Sequence, residues 1–215
     1  MKKIDYRNAF FDELVKIGIK DRNVIFLSAD TDADSLQIFK KKFPERFINT
    51  GVAEQETINL AAGLALSGKK VFIYSLLPFI TMRCFEQIKI NICGLKLPIT
   101  IIGLGTGLSF SYYGPSGHGV IDIGLMRMLP ELKILNPADP ISASKFAKIS
   151  YESKDPVYIR LHKGQDYSLY NKKSSFKFGF NEIKKGKNVC IISTGNIIKN
   201  IISIKNKISK KIANV

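Results

Sequence analysis

Residues 46–75 read RFINTGVAEQETINLAAGLALSGKKVFIYS and combine a predicted helix and a predicted strand in one stretch. Acidic residues begin the predicted helix at 54–67, where the positive end of the helix dipole favours negative charge. Gly68 follows the last helical residue, as is common where a helix ends. The apolar run at 71–74 has the length and composition of a buried strand. The stretch is therefore a helix–strand unit of an α/β fold.

Short apolar runs alternate with helical patterns on both sides of this unit. Such alternation is typical of a parallel sheet whose two faces are covered by helices. The sequence therefore predicts a doubly wound, mostly parallel α/β fold with helices on both faces. The predicted strands are 24–28, 71–74, 99–103, 133–135 and 157–161, and the other predicted helices are about 80–93, 121–129 and 139–152.

The alternation ends with the last of these strands. Residues 166–187 are polar and basic without a regular period, which predicts a linker. A predicted strand at 189–193 and an amphipathic helix at 196–209 follow, and one such unit cannot bury both faces of its strand. We therefore expect a domain over 1–165, then the linker, then a partial second α/β unit over 188–215.

The charge of the chain is uneven. The 215 residues include 33 Lys plus Arg against 18 Asp plus Glu, a net charge of +15, and residues 171–215 hold 11 Lys with a single acid. Lysine, not arginine, dominates the excess, which argues against nucleic-acid recognition. No apolar stretch approaches the ~18 residues of a membrane span. Three cysteines without CxxC spacing indicate neither a disulfide framework nor a zinc site. We expect a cytoplasmic protein that binds neither nucleic acid nor membrane.

Two polar residues are candidates for a functional site on chemical grounds alone. His118 lies in a Gly-rich loop beyond a predicted strand, where open α/β sheets bind ligands, although a solvated loop residue is an equal alternative. Glu54 begins the predicted helix at 54–67. An acidic residue there either stabilises the helix dipole or takes part in a functional site. GLGTG at 103–107 lacks the third glycine of a dinucleotide fingerprint, and Ser116 lacks the closing glycine of a nucleophile elbow.

Five blocks of the sequence resemble the pyrimidine-binding domain of transketolase-like enzymes, and most of all the C-terminal subunit of split transketolases. The resemblance covers about residues 1–165, and its most specific part is GVAEQ followed by an AAGLA helix. Residues 180–215 resemble the first unit of the family's C-terminal domain. The blocks in order are FLSADTDAD at 26–34, the stretch at 46–75, PFITMRCFEQI at 78–88, GPSGHGVIDIGLMRMLPELKILNPADP at 114–140 and DPVYIRLHKG at 155–164.

The resemblance implies a thiamine diphosphate-binding fold and assigns cofactor contacts to residues of this chain. Glu54 matches the carboxyl group that hydrogen-bonds the aminopyrimidine ring and stabilises its imino tautomer, a proton-transfer role. Phe79 matches the aromatic residue that stacks on the pyrimidine, and Met82 and Phe85 occupy the positions of neighbouring aromatics. Asp30 matches a residue near the cofactor and the subunit contact.

The candidate substrate residues depart from the family pattern. Where the family reads G-P-T-H-[HQ], this chain reads GPSGH, so Gly117 aligns with the family histidine and His118 follows one residue late. A shift of the loop by one residue would let His118 take the catalytic and substrate-binding role. Arg83 matches an arginine of the related deoxyxylulose-phosphate synthase. Lys163 falls where an arginine often contacts the acceptor phosphate, and it keeps the charge without the bidentate fork.

The family's other domain carries a G-D-G motif and a later Asn that hold the cofactor diphosphate and its Mg²⁺. This sequence contains no G-D-G. The resemblance therefore implies an N-terminal partner subunit with the metal ligands, and a heterotetramer that transfers a two-carbon ketol unit between sugars or sugar phosphates. The alternatives are a 2-oxo acid dehydrogenase β-subunit, a deoxyxylulose-phosphate synthase-like subunit and a truncated noncatalytic remnant.

Overall fold

The computed structural model describes residues 3–176, 179–187 and 190–208. The strands are β1 (Ile4–Asp5), β2 (Val24–Ser28), β3 (Phe47–Asn49), β4 (Lys70–Leu76), β5 (Thr100–Leu104), β6 (Lys133–Leu135), β7 (Val157–Leu161) and β8 (Gln165–Asp166). The α-helices are α1 (Tyr6–Lys20), α2 (Asp34–Lys42), α3 (Glu54–Leu66), α4 (Leu77–Thr81), α5 (Phe85–Gln87), α6 (Asp122–Met126), α7 (Pro140–Glu152) and α8 (Ile198–Ile208). A π-helical turn (Ile88–Cys93) continues α5, and short 3-10 helices span Pro44–Arg46, Ser111–Gly117 and Gly195–Ile197.

The strands β2 to β7 form one sheet in the order β3-β2-β4-β5-β7-β6, and all neighbours are parallel. The register places Phe72 of β4 between Phe26 of β2 and Thr100 of β5. The two-residue strands β1 and β8 pair with each other in antiparallel fashion. The five predicted strands up to residue 161 are present, and the structure adds β3 at one edge of the sheet.

Helices cover both faces of this sheet. The helices α1, α2 and α7 enclose one apolar cluster, and α3 to α6 enclose the other. The strand β4 shows the division, because Phe72 and Tyr74 belong to the first cluster whereas Val71 and Ile73 belong to the second. This alternation follows from the two-residue period of a strand, and both sets are buried because both faces are covered. The predicted doubly wound, mostly parallel α/β fold is confirmed.

The loops that follow the parallel strands lie together at the carboxyl ends of these strands. The chain runs from β2 outward to β3 and then returns past β2 to β4, and it later runs from β5 out to β6 before it returns to β7. Reversals of this kind leave crevices beyond the carboxyl ends of the strands, which is where open α/β sheets bind ligands. The candidates Asp30, Phe79, His118 and Lys163 all follow such strand ends.

The predicted helix over 80–93 is wrong as a single element. The helix α4 ends at Thr81, the backbone turns over 82–84, and α5 continues into the wide π-helical turn. The Thr81 Oγ1 donates to the carbonyl of Leu77 at 2.7 Å, a back-bond that competes with regular helix geometry. The interruption leaves Arg83 on the surface.

The predicted strand at 189–193 is also wrong in the part that the structure describes. Residues 190–193 adopt no strand, Ile192 is 93% exposed, and none of the described strands lies beside them to complete a ladder. Val189 lies outside the described residues. The predicted amphipathic helix at 196–209 is present as α8 from Ile198 to Ile208, and residues 196 and 197 belong to the preceding 3-10 helix. Residue 209 lies outside the described residues.

The helices α1 and α2 were not predicted. Asp5 caps α1, since its Oδ1 accepts from the backbone N–H groups of Arg7 at 2.8 Å and Asn8 at 3.4 Å. None of the helices in the described part of the chain combines the length and the apolar character needed to cross a bilayer.

Candidate active site

Glu54 is the first residue of α3 and is only 3% exposed. A buried carboxylate needs a partner of opposite charge or several hydrogen bonds. Its Oε2 accepts a hydrogen bond from Nη1 of Arg83 at 2.6 Å. A cleft of about 450 Å³ opens over this pair, and its lining consists of Val52, Ala53, Glu54, Gln55, Glu56, Asn59 and Arg83.

Phe79 completes a group of three with Glu54 and Arg83. The guanidinium carbon of Arg83 lies 4.5 Å from the centroid of the Phe79 ring, within the range of a cation–π contact. The Arg83 side chain is 44% exposed. The arrangement therefore brings an acid, an aromatic ring and a cation together, and the cation is the member that can move into solvent.

The turn that leads to Glu54 is tied to the loop after β2. The Asn49 Oδ1 accepts from the backbone N–H of Asp30 at 3.2 Å and of Gly51 at 3.0 Å, and its Nδ2 donates to the Asp30 carboxylate at 3.4 Å. Asp30 is exposed and has a φ of 48°, a left-handed conformation that Asp tolerates better than most residues. Asn49 therefore links Asp30 to the approach of α3. The signal in the sequence was the polar run Asn49-Thr50-Gly51 directly before the predicted helix, a composition typical of turns.

Met82 and Phe85 lie on either side of the break between α4 and α5. Met82 is 38% exposed. Phe85 is half-buried and packs against the apolar cluster beneath α3. Their predicted contacts with the cofactor stay predictions.

His118 lies in the loop between β5 and α6, residues 105–121, which we call the β5–α6 loop. The imidazole is half-buried, and within the described residues its side chain has no hydrogen-bond partner. The preceding Gly117 is buried, and a Cβ there would lie 2.6 Å from the carbonyl oxygen of Phe110. Gly117 therefore has no room for a side chain, and the catalytic and substrate-binding role of His118 stays a prediction.

Lys163 contacts the aromatic residues of the same loop. Its Nζ lies 4.3 Å from the ring centroid of Phe110 and 5.9 Å from that of Tyr112. The predicted substrate residues thus fall into two groups, with Arg83 beside Glu54 and Lys163 against the loop that holds His118. Both groups follow carboxyl ends of the parallel strands.

The second histidine of the chain belongs to the packing between β7 and its neighbours. The His162 Nδ1 lies 3.1 Å from Oγ1 of Thr106, and its ring packs edge-on against Tyr6. Burial lowers the pKa of His162 below its usual range, although Asp166 acts in the opposite direction. The neutral ring therefore suits a structural role.

Two charged residues under the β5–α6 loop were also missed. Asp122 and Arg160 form an ion pair with 2.7 Å between Arg160 Nε and Asp122 Oδ2. The signal for Arg160 was a charge within the apolar strand sequence VYIRL. In the part of the chain that is described, no group of three or more His, Cys, Asp or Glu residues is arranged to hold a metal ion.

Comparison with known proteins gives a consistent result. Residues 2–167 match the family model of the transketolase pyrimidine-binding domain. The chain is 29% identical over 195 residues to an apulose-4-phosphate transketolase subunit of Phocaeicola vulgatus, covering 89% of this chain and 62% of that protein. It is 33% identical over 193 residues to a protein of Methanocaldococcus jannaschii named a putative transketolase C-terminal section, and the match covers 88% of this chain and 61% of that protein. The chain thus spans about three-fifths of the length of these curated relatives.

Solved structures agree with this match. A split-gene transketolase, described as an inactive beta4 tetramer, superposes with a TM-score of 0.87 at 31% identity, over 98% of this chain and 69% of that one. A transketolase from Campylobacter jejuni superposes with a TM-score of 0.80 over 98% of this chain and 34% of that one. At 17% identity this second likeness shows the fold alone.

Proposed function

The chain belongs to the transketolase family, whose pyrimidine-binding domain it contains, and from this premise we propose that it is the C-terminal subunit of a thiamine diphosphate-dependent transketolase. The proposed reaction moves a two-carbon ketol unit between sugars or sugar phosphates. The working form is a heterotetramer with an N-terminal subunit. The names of the relatives, one a transketolase subunit and the other a C-terminal section, support this division between two chains.

The proposal depends on one observation, namely that the buried carboxyl of Glu54 and the ring of Phe79 both contact the same side chain, Arg83. A planar heterocycle with a ring nitrogen fits such a pair, because the aromatic face stacks on it while the carboxyl hydrogen-bonds its edge. Burial of Glu54 excludes water that would compete for this hydrogen bond. The residues present therefore fit the pyrimidine end of thiamine diphosphate.

When bound, thiamine diphosphate supplies a carbon nucleophile that can accept and release the ketol unit. Glu54 holds and shares a proton at the pyrimidine ring nitrogen, and Phe79 orients the ring. His118 donates a hydrogen bond to an oxygen of the substrate, and Lys163 attracts its phosphate. Asp30 lies beside the turn that positions Glu54. The partner subunit holds the diphosphate through Mg²⁺.

The proposal is tested by reconstitution. The 215-residue chain is mixed with the N-terminal subunit of a split transketolase, thiamine diphosphate and Mg²⁺, and ketol transfer between sugar phosphates is measured. We expect activity that requires all four components. Full-affinity cofactor binding by this chain alone would contradict the divided site. Failure to assemble would instead support a noncatalytic remnant.

A second function is favoured by one observation. The chain is 28% identical over 210 residues to 1-deoxy-D-xylulose-5-phosphate synthase of Clostridium perfringens, covering 96% of this chain and 34% of that enzyme. Arg83 matches an arginine of that synthase family and contacts Glu54 here. Product analysis of the reconstituted complex separates the two, since 1-deoxyxylulose 5-phosphate would replace the ketol-transfer product.

A further inference from the structure

A buried pair of opposite charges lies beneath the β5–α6 loop. Asp122 is 1% exposed, and Arg160 on β7 donates from Nε to its Oδ2 at 2.7 Å. The hydroxyl of Tyr158 donates to the same oxygen at 2.8 Å. Burial raises the pKa of Tyr158 well above its usual range, so that the hydroxyl keeps its proton and remains a donor. The Asp122 carboxylate is therefore held by two alternate residues of β7, whose side chains point to the same face of the sheet.

The other end of the Arg160 guanidinium reaches the loop itself. Its Nη2 donates to the carbonyl of Gly119 at 2.8 Å. Gly119 and Gly107 face each other through two backbone hydrogen bonds of 2.8 Å each, which close the loop at its base. A Cβ on Gly119 would lie 2.5 Å from the carbonyl oxygen of Gly105, so the closure depends on glycine. Arg160 thus connects the closed base of the loop to the sheet. The point of contact, Gly119, directly follows His118 in the chain.

We propose that Arg160 and Asp122 are positioning residues that clasp the base of the β5–α6 loop and thereby hold His118 at the carboxyl edge of the sheet. The kinetic part of this inference depends on the proposed function, because that function assigns His118 to the substrate. Asp122 orients the guanidinium, and Arg160 transfers that orientation to the Gly119 carbonyl.

The chemistry of arginine supports a positioning role over simple stabilisation. A buried ion pair is a poor source of stability, since apolar residues of similar volume do as well or better. The guanidinium fork, however, donates in two fixed directions at once, which a lysine ammonium cannot reproduce. Here one branch contacts Asp122 and another contacts Gly119. Only a fork can serve both acceptors in a fixed geometry.

The first test measures the loop directly in the 215-residue chain. Amide hydrogen exchange is followed by NMR at Gly107 and Gly119 in Arg160→Lys, with Tyr158→Phe as the matched control. Tyr158 contacts Asp122 but not Gly119 in the structure. We expect exchange at both glycines to rise on the order of 10-fold or more in Arg160→Lys and to stay within about twofold in Tyr158→Phe.

A second variant, Asp122→Asn, keeps the shape of the side chain and serves if Arg160→Lys does not fold. It removes the charge that orients the guanidinium, so the same two amides should exchange faster. Unchanged exchange at Gly107 and Gly119 in the folded variants would overturn the clasp.

The second test asks whether the clasp acts through His118. In the reconstituted complex, Arg160→Lys should lower kcat/KM on the order of 10- to 100-fold, as small displacements of an aligned group do. The same substitution in a His118→Asn background should have almost no further effect, because the positioned group is already absent. Independent, multiplicative losses would show a merely structural role and refute the inference.

The two tests also separate this inference from the proposed function. A wild-type complex without ketol transfer would refute the proposed function and with it the role assigned to His118. Amide exchange would still decide whether Arg160 holds the loop, because it needs neither cofactor nor partner.

Discussion

Two carboxylate–arginine pairs of nearly equal length lie in one domain but differ in their surroundings. The pair of Glu54 and Arg83 measures 2.6 Å and the pair of Asp122 and Arg160 measures 2.7 Å. Both acids are buried, at 3% and 1% exposure. The arginines are not alike, since the Arg83 side chain is 44% exposed whereas that of Arg160 is 15% exposed.

The exposure of the arginine decides what each pair can do. When the Glu54 pair opens, Arg83 enters water and regains its hydration, so a ligand can take its place. When the Asp122 pair opens, Arg160 stays beneath the loop without its partner, which is costly for a buried charge. The same chemistry therefore gives an exchangeable pair at the cleft and a fixed pair under the β5–α6 loop.

The largest expected effect is the loss of activity in Glu54→Gln. Glutamine keeps the shape of the side chain but cannot share a proton with a ring nitrogen, and general acid–base groups typically contribute about 10²- to 10⁴-fold. The kcat of the reconstituted complex should fall by that range. Glu45→Gln is the matched control, because the Glu45 side chain is 71% exposed and does not line the cleft. Equal activity of both variants would remove Glu54 from the chemistry.

The next effect separates the two pairs by stability. Asp122→Ala leaves Arg160 buried without its partner and should lower the free energy of unfolding by about 3–5 kcal/mol. Glu54→Gln should change it by less than about 1 kcal/mol, because Arg83 can turn into solvent. Urea unfolding of the 215-residue variants measures both. Equal losses would show that the two pairs do the same work.

Most strands of the sheet were predictable from the sequence, but the short edge strand and the interruptions of the helices were not. Uniformly apolar runs such as 24–28 and 157–161 identified strands because both faces of a parallel sheet are buried. The three-residue edge strand β3 was missed, since so short a run has no measurable period. The helix α1 carries Tyr6, Phe10 and Leu14 at four-residue spacing, which is the apolar period of a helix that packs on a core.

The candidate site was only partly predictable for a related reason. Glu54 and Phe79 emerged from a family resemblance that their own chemistry supports. The contact between Glu54 and Arg83 depends on the break after α4, which arises from tertiary packing and which a helical pattern over 80–93 conceals. Asp122 and Arg160 lie 38 residues apart, and only the pairing of β7 with β5 brings them together under one loop.

A smaller effect concerns the exchangeable pair and the cofactor. Arg83 contacts both Glu54 and Phe79, so a pyrimidine ring that uses these two groups must first displace it. Arg83→Met should therefore bind thiamine diphosphate more tightly in the complex, by up to about 10-fold, because the competing state is removed. Calorimetric titration measures this, with the exposed Arg22→Met as control. Weaker binding in Arg83→Met would show that Arg83 assists the cofactor instead.

The smallest effect concerns pH and the neighbourhood of the fixed pair. The pKa of His162 is lowered mainly by burial. The charges of Asp166 and Asp5 act to raise this pKa, whereas those of Arg160 and Lys199 lower it further. The unfolded chain therefore binds a proton more readily, and stability should fall as pH drops through about 6.5, by at most about 1.4 kcal/mol per pH unit. The pKa of Asp166 is itself lowered from its usual acidic range, so its titration lies below this window.

Urea unfolding at pH 7.5, 6.5 and 5.5 measures this slope in the wild type and in His162→Gln. The variant has no imidazole to protonate, so its stability should vary less over the same range. A slope that is unchanged in His162→Gln would assign the pH dependence to another group. If the slope is reduced in Arg160→Lys as well, the charge of Arg160 lowers the pKa of His162 only from its position in the clasp. Asp122 then does not fully neutralise the charge of Arg160.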